Sequence, residues 1–129
     1  MMRVLILDDN GDFARMLAIV LEREGFAVVT AANGAHALAL MESGGPADVL
    51  LTDLFMPEKD GLETICELRA RYPQTRILAM SGWDSRTGVD YLKVAREIGA
   101  THTLRKPFDV ADLVEVLREL SGRRGPLVA

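Results

Sequence analysis

Short apolar runs alternate with segments of helical periodicity five times along this chain of 129 residues. The runs have the length of strands and are bounded by charged or turn-forming residues. They cover residues 3–7, 26–31, 48–53, 76–81 and 100–105. Strict alternation of strand and helix requires crossover connections, which are right-handed and place helices on both faces of a parallel sheet. The sequence therefore predicts a doubly wound α/β domain, a three-layer sandwich around a five-stranded parallel sheet.

Residues suited to helix ends delimit the segments between the strands. Gly25 is predicted to close the first helix, because glycine readily takes the left-handed conformation that ends many helices. Asn33 can cap the second helix, and the third must end before Pro73. The apolar positions of the first helix are Phe13, Met16, Leu17, Val20 and Leu21. The same spacing assigns to the core four residues of the third helix, Leu62, Ile65, Cys66 and Leu68.

Composition limits the function classes that need to be considered. With 49% hydrophobic and 26% charged residues, the chain can build a real core, and its length suits one domain. A net charge of −4 argues against a general nucleic-acid binder, and the only basic cluster is the pair Arg123-Arg124. The single cysteine excludes an internal disulfide, and the apolar run of residues 4–7 is too short for a signal peptide or a membrane span. We expect a cytoplasmic protein in which residues 1–121 form the domain and residues 122–129 a short flexible tail.

Polar side chains stand where four of the predicted strands end. The first strand runs into Asp8 and Asp9, the third ends at Asp53, the fourth at Ser81, and the fifth runs into Lys106. Ligands bind at the carboxyl ends of parallel strands, so these side chains are predicted to share one rim of the sheet. Taken singly, each residue has an ordinary alternative, such as a helix cap, a turn hydroxyl or a solvated lysine.

Together these five residues indicate phosphoryl chemistry. Clustered carboxylates repel one another unless a cation is present, and ligand sets made only of oxygen favour a hard ion such as Mg²⁺. A lysine ammonium and a hydroxyl offer a phosphoryl group a positive charge and a hydrogen-bond donor. A carboxylate in such surroundings, here Asp53, can accept a phosphoryl group and form an acyl phosphate.

The same residues and their neighbours resemble a known family, the response-regulator receiver domains (CheY-like) of two-component signalling. The similarity covers about residues 2–121. The matching motifs are Asp8-Asp9, Asp53, Met56-Pro57, Asp60-Gly61, Ser81-Gly82, Gly99-Ala100 and Lys106-Pro107-Phe108. The resemblance implies the flavodoxin-like strand order 2-1-3-4-5.

The resemblance also implies a metal site and an acceptor. It makes Asp53 the acceptor of a phosphoryl group from a histidine kinase or a histidine phosphotransfer protein. It assigns Mg²⁺ to Asp8, Asp9, Asp53 and the backbone carbonyl of Phe55. Among these ligands Asp9 is expected to bind the ion directly and Asp8 through water.

Further residues are assigned to phosphate binding in the same way. Ser81 and Lys106 are expected to bind the phosphoryl group, and the Lys106–Pro107 peptide bond is expected to be cis. Phosphorylation is expected to draw Ser81 and Lys106 toward Asp53 and so to bias a surface with two states.

Two features depart from the pattern of the family. The position of the usual switch aromatic, three residues before Lys106, is occupied by Thr103, and the neighbouring His102 is expected to point to the other face of the strand. Phe55 and Trp83 take the two positions that border the path of the attacking water in the family. We hypothesise that their apolar bulk slows hydrolysis of the acyl phosphate.

The sequence is thus interpreted as a single-domain response regulator that is not an enzyme. It is expected to signal through contact with an unknown downstream protein, without nucleic acid or membrane, as a monomer or a phosphorylation-dependent dimer. One alternative is an interaction module that works without phosphorylation, which Thr103 suggests. Another is a Mg²⁺-dependent phosphatase similar to the haloacid-dehalogenase group, although Asp53-Leu54-Phe55 lacks the second acid of that group. Flavin binding is disfavoured because acids follow the first strand.

Overall fold

Five strands and five helices alternate along the chain, as the sequence predicts. The computed structural model describes residues 2–54, 61–81 and 90–121. The strands are β1 (Arg3–Leu7), β2 (Ala27–Ala31), β3 (Val49–Asp53), β4 (Arg76–Ser81) and β5 (His102–Arg105). The helices are α1 (Gly11–Arg23), α2 (Gly34–Gly44), α3 (Gly61–Arg71), α4 (Tyr91–Glu97) and α5 (Val110–Ser121).

All five strands pair in parallel, in the order β2-β1-β3-β4-β5. This is the flavodoxin-like order, and β1 and β3 lie next to each other at the point where the winding direction reverses. In the register, Leu7 lies opposite Thr52 and Asp53 lies opposite Met80, so β1, β3 and β4 end at nearly the same level. The predicted fold class and strand order are confirmed.

The sheet separates two hydrophobic clusters, one on each face. Neighbouring side chains of a strand point to opposite faces, so Leu5 and Leu7 of β1 join one cluster while Val4 and Ile6 join the other. The first cluster is covered by α2, α3 and α4, and the second by α1 and α5. β1 and β3 are buried along both faces, which explains why their sequences are almost wholly apolar.

The helix ends follow the predicted chemistry. The side chain of Asn10 accepts the backbone N–H of Phe13 at the start of α1, and that of Asn33 accepts the N–H of His36 at the start of α2. Gly25 follows α1 with a φ of +96°, a conformation that residues with a Cβ rarely adopt. The third helix ends at Arg71, before Pro73 as expected.

Three expected strand bounds and two expected core positions are wrong. Strand β2 begins at Ala27 rather than residue 26, β3 at Val49 rather than residue 48, and β5 at His102 rather than residue 100. Met16 is 45% exposed, and Cys66 is exposed as well. The expected tail, residues 122–129, lies outside the described residues.

No helix among residues 2–54, 61–81 and 90–121 combines the length and the apolar character needed to span a bilayer.

Candidate functional site

The polar residues predicted at the strand ends lie together at the carboxyl edge of the sheet. Asp8 and Asp9 follow β1, Asp53 is the last residue of β3, Ser81 the last of β4, and Lys106 follows β5. Parallel pairing brings these four strand ends to one edge. Residues that are up to 98 positions apart in the sequence therefore meet in one site.

Three carboxylates form the acidic part of the site. One oxygen from each of Asp8, Asp9 and Asp53 can be chosen so that all three atoms lie within 4.8 Å of one another. Asp8 is 2% exposed and Asp53 is 8% exposed, whereas Asp9 is open to solvent. The Asp8 carboxylate is also oriented by the backbone N–H of Asn10, which donates to its Oδ1 at 2.9 Å. Asp9 is thus the member of the group with access to water and to dissolved ions.

Lys106 supplies the positive charge of the site. Its Nζ lies 3.3 Å from Oδ2 of Asp8 and 3.4 Å from Oδ1 of Asp53. The backbone directs the side chain to this place, because the N–H of Lys106 donates to the carbonyl oxygen of Ser81 at 2.8 Å. The Lys106–Pro107 peptide bond is cis, as expected. Ser81 itself is 1% exposed at the end of β4.

The surroundings of Asp53 alter its acidity. Burial raises the pKa of the Asp53 carboxyl, because the charged form loses hydration. The nearby Lys106 ammonium opposes this shift, while the negative charges of Asp8 and Asp9 add to it. The folded protein therefore holds a proton on Asp53 more tightly than a free aspartate does.

Gly61, the first residue of α3, packs directly against the backbone at the end of β3. A Cβ at this position would lie 2.2 Å from the carbonyl oxygen of Asp53 and 2.8 Å from Cα of Leu54. The N–H of Gly61 donates to the carbonyl oxygen of Leu54 at 3.3 Å. Gly61 thus allows α3 to begin immediately behind the acidic cluster.

Two aromatic residues at the site were not predicted to take part in it. The Nζ of Lys106 lies over the ring of Phe13, 4.6 Å from its centroid, and the Phe13 and Phe108 rings meet edge-to-face with centroids 6.4 Å apart. Together with Lys106 and Pro107 they line an open depression of about 340 Å³. The helical spacing assigned Phe13 to the core. The signal that could have placed it here is its position in the first turns of α1, directly after the acidic pair.

The position of the usual switch aromatic is held by Thr103, which lies partly buried on β5 opposite Ala79. His102 is exposed, in agreement with its expected place on the other face of the strand. Arg105, two residues after Thr103, donates to Oδ1 of Asp90 at 3.2 Å, and Asp90 caps α4 by accepting the N–H of Leu92. Strand β5 and the start of α4 are thereby linked.

Phe55, expected to supply a metal ligand, and Trp83, expected to shield the acyl phosphate together with it, lie outside the described residues.

This arrangement can bind a cation and an anion side by side. The three carboxylates form an oxygen-only ligand set of the kind that hard divalent cations prefer. The Lys106 ammonium, 3.4 Å from Oδ1 of Asp53, can neutralise an anionic group carried by that residue. Fold and site together define a doubly wound α/β domain with an acidic cluster and a lysine at the carboxyl ends of its strands.

The matches to known proteins agree with that class. Residues 4–118 match the model of the response regulator receiver domain, and the chain belongs to this family. It is 35% identical over 123 residues to the transcriptional regulatory protein CpxR of Klebsiella pneumoniae, covering 95% of this chain and 50% of the relative. The chain spans about half the length of the curated relatives it matches.

Solved structures of the family have the same fold. A response regulator receiver domain protein from Clostridium thermocellum superposes with a TM-score of 0.85 at 25% identity, covering 95% of this chain and 96% of its own. The chemotaxis protein CheY4 of Vibrio cholerae gives a TM-score of 0.82 at 31% identity, covering 93% of this chain and 98% of its own. Receiver domains are phosphoacceptor signalling modules that histidine kinases phosphorylate, and they typically bind Mg²⁺.

Proposed function

We propose that this chain accepts a phosphoryl group on Asp53 from a histidine kinase or a histidine phosphotransfer protein, with Mg²⁺ held by Asp8, Asp9 and Asp53. The observation that carries the proposal is the position of the Lys106 ammonium, 3.3 Å from Asp8 and 3.4 Å from Asp53 at the edge where these residues meet. This arrangement places a positive charge beside an acidic cluster, which is what a transferred phosphoryl group requires.

The residues divide the work of phosphoryl transfer. An oxygen of the Asp53 carboxylate attacks phosphorus, the bond from phosphorus to the donor nitrogen breaks, and the donor imidazole leaves with the electron pair. The new acyl phosphate carries nearly two negative charges in place of one. Lys106 and Ser81 supply an ammonium and a hydroxyl to its oxygens, and Asp8 holds Lys106 in place beforehand. Asp8, Asp9 and Asp53 would hold Mg²⁺, which would neutralise the charge that develops on the transferred group.

The carboxylates divide by exposure in the same proposal. Asp9 is open to solvent and is the direct ligand, whereas Asp8 is buried, accepts two hydrogen bonds, and acts through water. The backbone carbonyl of Phe55 remains a predicted further ligand. The shielding of the acyl phosphate by Phe55 and Trp83 also stays a prediction, because both residues lie outside the described part of the chain.

Mass spectrometry of the intact protein, treated with acetyl phosphate and Mg²⁺, tests the proposal. The wild-type protein is expected to gain one phosphoryl group, Asp53→Asn none, and wild-type protein with a chelator none. Asp12→Asn is the matched control, because Asp12 is an aspartate on α1 whose side chain is 95% exposed. A labelled Asp53→Asn protein, or an unlabelled wild type, would contradict the proposal.

The signal is proposed to leave the site through protein contact at β5 and α4. Thr103 cannot act as an aromatic switch, but the contact between Arg105 and Asp90 ties the strand that directly precedes Lys106 to the start of α4. The proposed regulator is cytoplasmic, and it is a monomer or a phosphorylation-dependent dimer. It has a protein as its unidentified target and neither nucleic acid nor membrane as a partner.

Thr103 also supports a second candidate, an interaction module that works without phosphorylation. A pull-down from cell extract with wild-type and Asp53→Asn protein, each with and without a phosphoryl analogue, distinguishes the two. Partners gained only by the wild type with the analogue support phosphorylation control, and identical partners in all four samples support the module. Continuous release of nitrophenol from p-nitrophenyl phosphate would instead indicate a phosphatase.

A further inference from the structure

Among the residues that the structure describes, three groups lie close to the Lys106 ammonium, and two of them are acids. Asp8 and Asp53 lie 3.3 and 3.4 Å away, and the third neighbour is the face of the Phe13 ring, with its centroid at 4.6 Å. Aromatic faces attract cations within about 6 Å of the centroid. The lysine side chain is 29% exposed. The ring therefore attracts the ammonium and also covers part of it that water would otherwise occupy.

The Phe13 ring is itself held from two directions. The backbone N–H of Phe13 donates to the Asn10 side chain at 3.1 Å, and this hydrogen bond caps the first turn of α1. Its ring packs edge-to-face against Phe108, which lies two residues after Lys106, with an angle of 72° between the planes. Such pairs have preferred geometries because the positive edge of one ring meets the negative face of the other. The Phe13 ring thus packs against Phe108 on a helix turn that Asn10 caps.

We propose that Phe13 is a positioning residue for Lys106, which holds the ammonium ready for a phosphoryl group on Asp53 through a cation–π contact. This role rests on the function proposed above. A lysine side chain has four rotatable bonds, and restricting them costs entropy that a binding event must supply. The contact with Phe13 already restricts the Lys106 side chain before the phosphoryl group binds, so that less conformational entropy is lost on binding.

The proposal is specific about the property of the ring that matters. If Phe13 only filled space, any side chain of the same shape would serve. If it holds the cation, binding of a phosphoryl group must weaken as electron density is withdrawn from the ring face, even where the shape is kept. Progressive fluorination of phenylalanine separates these two cases, because fluorine withdraws electron density from the ring and adds little volume.

The experiment introduces phenylalanine with one, two or three fluorine atoms at position 13 of the full chain. The affinity for beryllofluoride, a phosphoryl analogue, is then measured by calorimetry at saturating Mg²⁺. We expect the affinity to fall stepwise with each fluorine, to about two- to fivefold below wild type for the trifluoro ring. Phe13→Tyr keeps the electron-rich face and is expected to bind like wild type, and Phe13→Leu to bind as weakly as the trifluoro protein.

Phe26 provides the matched control, because it is 7% exposed in the cluster under α1 and α5 that Phe13 also packs against. Trifluoro substitution at Phe26 is expected to leave the affinity unchanged, and thermal unfolding of each protein shows that it is folded. Equal binding by the wild type and the trifluoro-Phe13 protein would overturn the role of Phe13 alone. A wild type that binds no beryllofluoride would overturn the proposed function and this inference with it.

Discussion

Gly61 and Gly11 are each the first residue of a helix, and they should respond to alanine in opposite ways. A Cβ on Gly61 would meet the Asp53 carbonyl oxygen at 2.2 Å, a distance that real Cβ atoms essentially never show. A Cβ on Gly11 would meet no atom within 4 Å. Neither glycine has a positive φ, so steric contact is what separates the two substitutions.

The size of the difference follows from these contacts. Alanine in place of a helical glycine stabilises by about 0.5–1 kcal/mol through helix propensity and a more restricted unfolded chain. At Gly61, forcing a methyl group into a packed site costs about 3 kcal/mol, the upper end of the usual range, because backbone atoms and not flexible side chains must move. Gly61→Ala is therefore expected to lose about 2 kcal/mol net, and Gly11→Ala to gain about 0.5 kcal/mol.

Urea unfolding followed by far-ultraviolet circular dichroism measures both values. The difference between the two variants cancels the propensity and unfolded-state contributions, leaving the contact with the end of β3. In the labelling assay with acetyl phosphate, Gly61→Ala should also react more slowly, since the displaced atom belongs to the acceptor residue. If Gly61→Ala proves as stable as Gly11→Ala, the backbone at Asp53 is not packed as described, and the reasoning fails.

Three further predictions concern the site, the core and a helix cap. Because burial raises the pKa of Asp53, the folded state binds its proton more tightly than the unfolded state does. The resulting loss of stability is absent below the ordinary value of 3.8 and complete above the raised pKa. Asp53→Asn should therefore stabilise by about 0.5–2 kcal/mol at pH 7, and a gain of the same size at pH 3 in urea unfolding would contradict this. Leu17→Ala should cost about 2–5 kcal/mol and Met16→Ala less than about 1 kcal/mol, because Leu17 is 0% and Met16 is 45% exposed; equal losses in thermal unfolding would refute the assignment. Asn10→Ala should lower the free energy of unfolding by about 1 kcal/mol and Asn10→Ser should restore most of it, whereas no loss would mean that the cap contributes nothing.

The sequence was sufficient for the fold because each local signal agrees with the parallel sheet. Two-faced burial makes β1 and β3 continuously apolar, and such runs separated by helical segments leave few other topologies. The bounds were less certain, since β5 begins at His102 even though the N–H of Thr101 already donates to the carbonyl oxygen of Ile77 in β4. The residue at which a strand begins depends on how far the neighbouring strand extends, and the sequence of the strand alone does not determine that.

Side-chain surroundings were harder to predict than elements. Met16 and Cys66 occupy positions of helical spacing but are exposed, because periodicity does not say how wide the covering layer is. The motif Asp60-Gly61 did not indicate that Gly61 is helical and needed for space against Asp53. Contacts of this kind join segments whose approach depends on the whole fold.

For the site, residue type and strand position were sufficient to predict which groups meet. Lys106 and Asp8 are 98 positions apart, and parallel pairing alone predicts their approach. What sequence could not supply was the third neighbour of the ammonium, Phe13, because that depends on the rotation of α1 about its axis and on the packing of Phe108.

The clustered carboxylates of the site lower the stability of the fold. The same cluster favours the binding of a cation. Asp8 and Asp53 are nearly buried and share the ammonium of Lys106, while Asp9 adds a third negative charge within 4.8 Å. A sequence that served stability alone would place asparagine or an apolar residue at Asp53, because the folded state disfavours its charged form. The surplus negative charge would attract a dissolved cation. The bound cation would in turn reduce the repulsion between the carboxylates and the negative charge of a phosphoryl group. The binding of a cation and the binding of a phosphoryl group must therefore favour each other, because each relieves the electrostatic cost of the other.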